Sequence, residues 1–107
     1  MPTGILLTIA ILTEVSATVS LRFTDGFTDP LPSAVVVVGY GISFWMLALV
    51  LRELPLGLTY AVWSAAGTAI IAAVGIVAFG ETATTLKLAS LGLIIMGVVG
   101  LNLAGSR

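Results

Sequence analysis

Four long apolar runs, separated by short polar segments, dominate the pattern of hydrophobic and polar positions along the chain. The runs cover residues 3–21, 33–51, 58–79 and 88–105. About 20 mainly apolar residues cross about 30 Å of hydrocarbon, so each run is long enough to span a membrane. Because backbone N–H and C=O groups in hydrocarbon must pair within their own segment, each run is predicted to be a helix.

The polar segments between the runs contain the residue types that end helices. RFTDGFTDPLP (22–32) combines charges with a glycine and two prolines, and RELPLG (52–57) and GETATTLK (80–87) are shorter. Such segments indicate loops. Because these loops leave no room for a soluble domain, we predict one all-α integral membrane domain over residues 1–107, with four transmembrane helices.

The composition points to lipid as the surrounding solvent. The 107 residues are 59% hydrophobic and 8% charged, against about 25% charged residues in an ordinary soluble domain. The chain has no cysteine and no histidine, which excludes thiolate chemistry and the usual soft-metal sites. We therefore expect no cofactor and no metal, and we do not expect an enzyme. A net charge of −1 gives no reason to expect a nucleic-acid partner.

The few positive charges are balanced across the predicted membrane. Four crossings place Arg52 and Arg107 on one side, and Arg22 and Lys87 on the other. Orientation normally follows an excess of lysine and arginine on the cytoplasmic side. A balanced count leaves two alternatives: the orientation is fixed in some other way, or both orientations insert and assemble as an antiparallel homodimer.

One carboxylate, Glu14, lies near the middle of the first apolar run. An acid at that depth costs roughly 2.5–3.5 kcal/mol on insertion scales. Because the predicted spans contain no lysine, arginine or histidine, Glu14 is predicted to be protonated or to be ionised beside a cation from outside the chain. A carboxylate that holds either a proton or a foreign cation can exchange one for the other. The structural alternative is a neutral glutamic acid that hydrogen-bonds between helices.

Small and aromatic side chains predict a pocket around Glu14. Positions three, four and seven residues away share its helical face, and Ala10, Ala17 and Thr18 on that face are small. The other members of the face include Leu7. Plain helix packing by small residues is the alternative explanation.

Two further stripes, on the second and third runs, are aromatic and polar. They consist of Tyr40, Ser43, Phe44 and Leu47, and of Tyr60, Trp63, Ser64 and Gly67. Aromatic faces attract cations by about 0.5–2 kcal/mol, so one acid with aromatic walls predicts a site for a lipophilic or aromatic cation. In the fourth run, Ser90, Gly97 and Ala104 recur every seven residues, which favours a helix that packs closely, or dimerises, through small residues.

Several stretches together resemble the small multidrug resistance family. They are AILTEVSATVSLRFTDGFT (10–28), GYGISFWMLA (39–48), PLGLTYAVWSAAGT (55–68) and GVVGLNLAG (97–105). The acid in the first helix, the GFT loop and YAVWS in the third helix are specific in combination, and the resemblance covers nearly the whole chain.

The resemblance implies a proton-coupled cation exporter of the bacterial inner membrane that works as an antiparallel dimer. It implies that Glu14 binds both proton and substrate. Residues implied to line the substrate pocket are Trp63, Tyr60, Tyr40, Thr18 and Ser43, with Trp45 as an aromatic that influences substrate preference. Gly97 matches a dimer contact, Ala65 replaces a frequent glycine at a bend of the third helix, near Gly67, and Ser90 replaces a frequent glycine of the dimer helix.

Ala17 and Thr18 stand where the guanidinium-exporting branch of the family typically has a tryptophan, so this chain resembles the multidrug, quaternary-ammonium branch. Three alternatives stay open. The first is export of guanidinium or small amines by the same mechanism, and the second is one half of a heterodimeric transporter. The third is a membrane subunit without transport activity in which Glu14 is structural.

Overall fold

The computed structural model describes residues 2–104, which form four α-helices and no strand. Helix α1 covers Thr3–Leu21, α2 covers Pro30–Val50, α3 covers Leu56–Phe79 and α4 covers Thr85–Leu103. All four are long and apolar enough to cross a membrane. The predicted all-α fold with four spans is confirmed, while the antiparallel dimer stays a prediction.

Helix α1 has the predicted bounds, but the other three helices begin two or three residues earlier than predicted. Pro30 and Pro32 were expected in a loop and instead occupy the first turn of α2, where a proline needs no N–H donor and its fixed φ suits the helix. Thr84 caps α4 by accepting a hydrogen bond from the Lys87 backbone N–H at 3.1 Å, as hydroxyl residues at this position commonly do. The predicted end of the last span at residue 105, and Arg107, lie outside the described residues.

The chain divides into two compact units, Met1–Glu53 with α1 and α2, and Leu54–Arg107 with α3 and α4. They are called unit 1 and unit 2 below. The single domain over residues 1–107 stays a prediction.

Unit 1 is a helical hairpin whose helices approach each other closely at a small residue on each side. A Cβ atom added to Gly39 on α2 would lie 2.9 Å from the Cβ atom of Ala17 on α1. Real Cβ contacts are longer than this, so only glycine fits at position 39 without a shift. Ala17 is almost fully buried, with 1% of its surface exposed. The backbones of α1 and α2 are therefore close at this level of the hairpin.

The loop between α1 and α2 is held by the buried side chain of Thr24. Asp25, Gly26 and Phe27 all have positive φ, at 50°, 66° and 68°, a conformation that costs roughly 1–2 kcal/mol for a residue with a side chain. The Thr24 hydroxyl donates to the Leu21 carbonyl at 2.9 Å and accepts from the Phe27 N–H at 3.2 Å. These bonds hold the strained turn in place.

In unit 2, α3 ends at Gly80, which has a positive φ of 69°. The Glu81 N–H then donates to the Gly75 carbonyl at 3.0 Å, and the Glu81 carboxylate covers Gly75. This pattern is a common way to satisfy the last carbonyls of a helix. Helix α4 has no buried residue within its described range, so most of its apolar surface faces outward.

We expect Gly39→Ala to destabilise the protein by about 1–3 kcal/mol, because an added methyl group overpacks the contact with Ala17. Gly41→Ala is the matched control, since a Cβ atom there meets nothing within 4 Å and alanine favours the helix by about 1 kcal/mol. Unfolding in mixed detergent micelles measures both. Equal stability of the two variants would contradict the close approach.

We expect Thr24→Val to destabilise the protein by about 1–3 kcal/mol, because it leaves the Phe27 N–H without its acceptor. Thr28→Val is the control: its hydroxyl also bonds within the loop, to the Asp25 carbonyl at 2.7 Å, but this bond is exposed and water can replace it. The same unfolding assay compares them, and a larger loss for Thr28→Val would show that Thr24 does not hold the turn.

Candidate functional site

Glu14 lies on α1 and is half-buried in unit 1. The Thr18 hydroxyl, one helical turn further along, donates a hydrogen bond to Glu14 Oε1 at 2.8 Å. Neither α1 nor α2 contains a lysine, arginine or histidine. On the helices of unit 1, the hydrogen-bond partner of Glu14 is therefore a neutral hydroxyl and not a cation.

A second hydroxyl extends the contact from α1 to α2. Thr18 Oγ1 and the Tyr40 hydroxyl oxygen are 2.7 Å apart, so Glu14, Thr18 and Tyr40 form one chain of hydrogen bonds. The Tyr40 ring stacks on Phe44, with centroids 6.0 Å apart and an interplanar angle of 13°. The structure brings these four predicted site residues together.

The hydrogen-bonded chain depends on the close approach of the two helices. Ala17 precedes Thr18 and Gly39 precedes Tyr40, so the contact between the two small residues is adjacent to the contact between the two hydroxyls. A longer distance between the helices would separate Tyr40 from Thr18. The sequence prediction missed Gly39, although a glycine beside a predicted pocket tyrosine was an available signal.

Several residues predicted for the pocket are buried in the packing of unit 1. Leu7 is 9% exposed, while Ala10 and Ala17 are each 1% exposed. Ser43 is fully buried, and its hydroxyl donates to the Tyr40 carbonyl at 3.0 Å. In contrast, Phe44 and Trp45 are exposed over 51% and 65% of their surface. The roles of all six in substrate binding stay predictions.

In unit 2, the two aromatic residues of the predicted stripe on α3 contact each other. Tyr60 and Trp63 meet edge to face, with ring centroids 5.8 Å apart and an interplanar angle of 72°. Tyr60 lies at one end of an open groove of about 480 Å³ between α3 and α4. The groove is lined by Tyr60, Ala61, Ser64, Ala65, Thr68, Ile94, Gly97, Val98 and Leu101.

The residues predicted to bend α3 lie in regular helix, and those predicted for dimer packing are exposed. Helix α3 is continuous α-helix through Ala65 and Gly67, which are both buried. Ser90 and Gly97 on α4, and Ala104 directly after it, are exposed, and the Ser90 hydroxyl donates to the Leu86 carbonyl at 2.7 Å. The bend and the dimer contact stay predictions.

A buried hydroxyl on α3 also escaped the sequence prediction. Thr59, beside Tyr60 on α3, is 1% exposed, and its hydroxyl has no hydrogen-bond partner within the part of the chain that the structure describes. A threonine in the first turn of a helix is too ordinary a feature of sequence to have indicated this.

Each of the two units presents groups that are able to contact a cation. Glu14 offers a carboxylate, the two hydroxyls offer short hydrogen bonds, and the aromatic pairs offer faces that attract cations. No group of three or more histidine, cysteine, aspartate or glutamate residues that could hold a metal ion occurs within residues 2–104.

The sequence profile described as "Small Multidrug Resistance protein" matches residues 3–94. The chain is similar to quaternary ammonium compound-resistance protein QacE from Escherichia coli, at 48% identity over 97 residues that cover 91% of this chain and 88% of QacE. It is also similar to multidrug resistance protein EbrA from Bacillus licheniformis, at 43% identity over 100 residues that cover 94% of this chain and 95% of EbrA.

A third relative carries the name of a specific aromatic cation. It is a putative ethidium bromide resistance protein from Salmonella typhimurium, which is 47% identical over 89 residues that cover 83% of this chain and 77% of the relative. The match to the profile covers α1, α2, α3 and the first half of α4. With its four apolar helices and these bacterial relatives, the chain is a multi-pass protein of the bacterial inner membrane and belongs to the small multidrug resistance family.

Proposed function

We propose that this protein is a proton-coupled antiporter that exports lipophilic or aromatic cations, with proton and drug competing for Glu14. The observation that carries the proposal is the position of Glu14, which is the one acidic residue within the bounds of the four described helices. Its hydrogen-bond partner there is neutral. An acid placed in hydrocarbon at this cost is normally retained for a function.

The competition follows from charge. In an apolar surrounding, the negative charge of Glu14 must be compensated. Either a bound cation pairs with the carboxylate, or a bound proton neutralises it. A site that holds both at once would carry an uncompensated positive charge in a medium that disfavours it. Binding of the drug therefore favours release of the proton, and binding of a proton favours release of the drug.

Transport follows if the site alternates between the two sides of the membrane. The proton-loaded carrier reorients, substrate from one side displaces the protons, and the loaded carrier reorients again. Protons from the other side then release the substrate. A ligand can move such an equilibrium only through different affinities for the two states, and exclusive occupancy of Glu14 provides that difference.

An antiparallel homodimer fits this cycle. Four helices provide few walls for an alternating cavity, and a second copy supplies four more together with a second Glu14. The balanced positions of Arg22, Arg52, Lys87 and Arg107 along the chain fit insertion in both orientations.

Aromatic cations are the proposed substrate class. The stacked pair Tyr40–Phe44 and the edge-to-face pair Tyr60–Trp63 offer aromatic surface, and desolvated cations are attracted to such surfaces. The name of QacE refers to quaternary ammonium compounds, and that of the other relative refers to ethidium, an aromatic cation; both names support the proposal.

We expect tetraphenylphosphonium to release protons from the wild type in weakly buffered detergent solution, and to release none from Glu14→Gln, because the amide keeps the size of the side chain but cannot titrate. Glu53→Gln is the matched control, since this acid is exposed and follows α2. A pH indicator measures the release. Robust pH-driven export by Glu14→Gln in liposomes would contradict the proposal, and so would equal proton release.

The same assay with guanidinium tests the substrate class. We expect tetraphenylphosphonium, which is large and aromatic, to release protons at much lower concentration than guanidinium. If only guanidinium releases protons, the exchange mechanism stands and the substrate class is wrong. If neither does so, Glu14 is structural.

We expect Trp63→Ala to weaken tetraphenylphosphonium binding by about 2- to 30-fold, which corresponds to the loss of one cation–aromatic contact. Trp63→Phe keeps an aromatic ring and is expected to retain most of the affinity. Equilibrium dialysis with radiolabelled tetraphenylphosphonium measures both. Unchanged affinity in Trp63→Ala would remove this residue from the proposed site.

A further inference from the structure

We propose that Thr18 is a positioning residue whose single hydroxyl proton reverses direction when Glu14 gains or loses a proton, and thereby turns the O–H group of Tyr40. The inference rests on the proposed function, because it requires Glu14 to titrate. It goes further by coupling the charge of Glu14 to the polarity of a residue on another helix.

The number of protons on Thr18 fixes the direction of the chain when Glu14 is ionised. A threonine hydroxyl has one proton to donate, and a carboxylate can only accept. The Thr18 proton therefore lies in the 2.8 Å bond to Glu14 Oε1. At 2.7 Å, the second bond of Thr18 must then be donated by the Tyr40 hydroxyl, so the O–H group of Tyr40 points toward α1.

A proton on Glu14 allows the whole chain to reverse. The carboxylic acid is the strongest proton donor of the three groups, so it donates to Thr18 Oγ1. Thr18 then donates to the Tyr40 oxygen, and Tyr40 becomes an acceptor whose own proton turns away from α1. One proton is added at Glu14, where a new O–H bond forms. The O–H bonds of Thr18 and Tyr40 rotate, and no covalent bond within the protein breaks.

Four other hydroxyls of α1 show that the bond from Thr18 to Glu14 is unusual for this helix. The hydroxyls of Thr8, Thr13, Ser16 and Ser20 each donate to the backbone carbonyl four residues earlier, at 2.7–2.8 Å. This is the common bond for serine and threonine inside a helix. Thr18 instead donates its proton to the side chain of Glu14, and its hydrogen bond to Tyr40 reaches the neighbouring helix.

No other charged residue of α1 or α2 competes for the hydrogen bonds that join Glu14, Thr18 and Tyr40. Tyr40 is the titratable group that α2, the helix packed against α1, presents to Thr18. Glu14 is the sole charged residue within α1, and α2 contains none. The remaining charged residues of unit 1 lie outside the helices, at Arg22, Asp25, Asp29, Arg52 and Glu53.

The reversal strengthens the competition between proton and cation. When Glu14 is ionised, the Tyr40 hydroxyl donates its proton to Thr18, so a lone pair of the Tyr40 oxygen can face a cation. When Glu14 is protonated, the Tyr40 proton is free and presents the positive end of its dipole. A proton thus removes the negative charge and also makes the tyrosine less favourable for a cation.

Infrared difference spectroscopy of the full-length protein in liposomes tests the inference. The titrating carboxyl band is assigned to Glu14 by its loss in Glu14→Gln. The C–O stretch of tyrosine distinguishes a hydroxyl that donates from one that accepts, and the chain has two tyrosines, so Tyr40→Phe assigns the band. Thr18→Val removes the hydroxyl at nearly constant volume, and Thr18→Ser keeps it.

In the wild type, we expect the Tyr40 band to shift over the same pH range as the Glu14 carboxyl band. In Thr18→Val, Glu14 should still titrate while the Tyr40 shift is lost, and Thr18→Ser should restore the shift. The affinity for tetraphenylphosphonium should also change with pH. The ratio of its values at high and low pH should be about 2- to 10-fold smaller in Thr18→Val than in the wild type, as expected for the loss of one hydrogen bond.

Two results would overturn the inference while leaving the proposed function intact. One is a wild-type Tyr40 band that stays constant while Glu14 titrates, and the other is a Tyr40 shift that persists in Thr18→Val. A wild type in which no Glu14 band titrates would overturn the proposed function and this inference together.

Discussion

The distance between α1 and α2 is set where Ala17 meets Gly39, and the candidate site of unit 1 depends on that contact. A Cβ atom on Gly39 would lie 2.9 Å from that of Ala17, so any larger residue forces the helices apart. One residue further along each helix, Thr18 and Tyr40 are 2.7 Å apart. Small residues allow close backbone approach between helices in lipid, where no hydrophobic force holds them together. Here they also bring two hydroxyls within hydrogen-bonding distance.

The lipid environment explains why a neutral hydroxyl is a suitable partner for Glu14. A lysine or arginine within α1 or α2 would hold the carboxylate in a permanent ion pair, and neither proton nor foreign cation could then displace it easily. A threonine stabilises both forms, since it donates to the carboxylate and accepts from the acid. The site can therefore change occupant at modest cost, as the proposed exchange of proton and cation requires.

The two units differ in how much of their surface their own residues cover. Unit 1 buries apolar side chains from both helices and holds its loop by the buried Thr24. In unit 2, α4 has no buried residue in its described range, and large apolar side chains such as Leu93 and Met96 are 69% and 70% exposed. Lipid can cover such a surface, and so can the second copy that the proposed dimer requires.

Sequence alone determined the number of spans, the helical class and the central position of Glu14, because the hydrocarbon thickness fixes span length and leaves the helix as the structure for each run. Helix starts were less predictable: proline reads as a loop residue, yet Pro30 and Pro32 stand in the first turn of α2. Helical spacing also placed Thr18 on the face of Glu14, since both are on one helix.

Only the tertiary structure decided which hydroxyl on another helix reaches Thr18, because that contact depends on the offset and distance between α1 and α2. It likewise decided that Ala10, Ala17 and Ser43 are buried in helix packing, while Trp45 on α2 is exposed. A helical period indicates which residues share a face. It does not indicate which neighbour covers that face, since covering it requires the positions of two helices relative to each other.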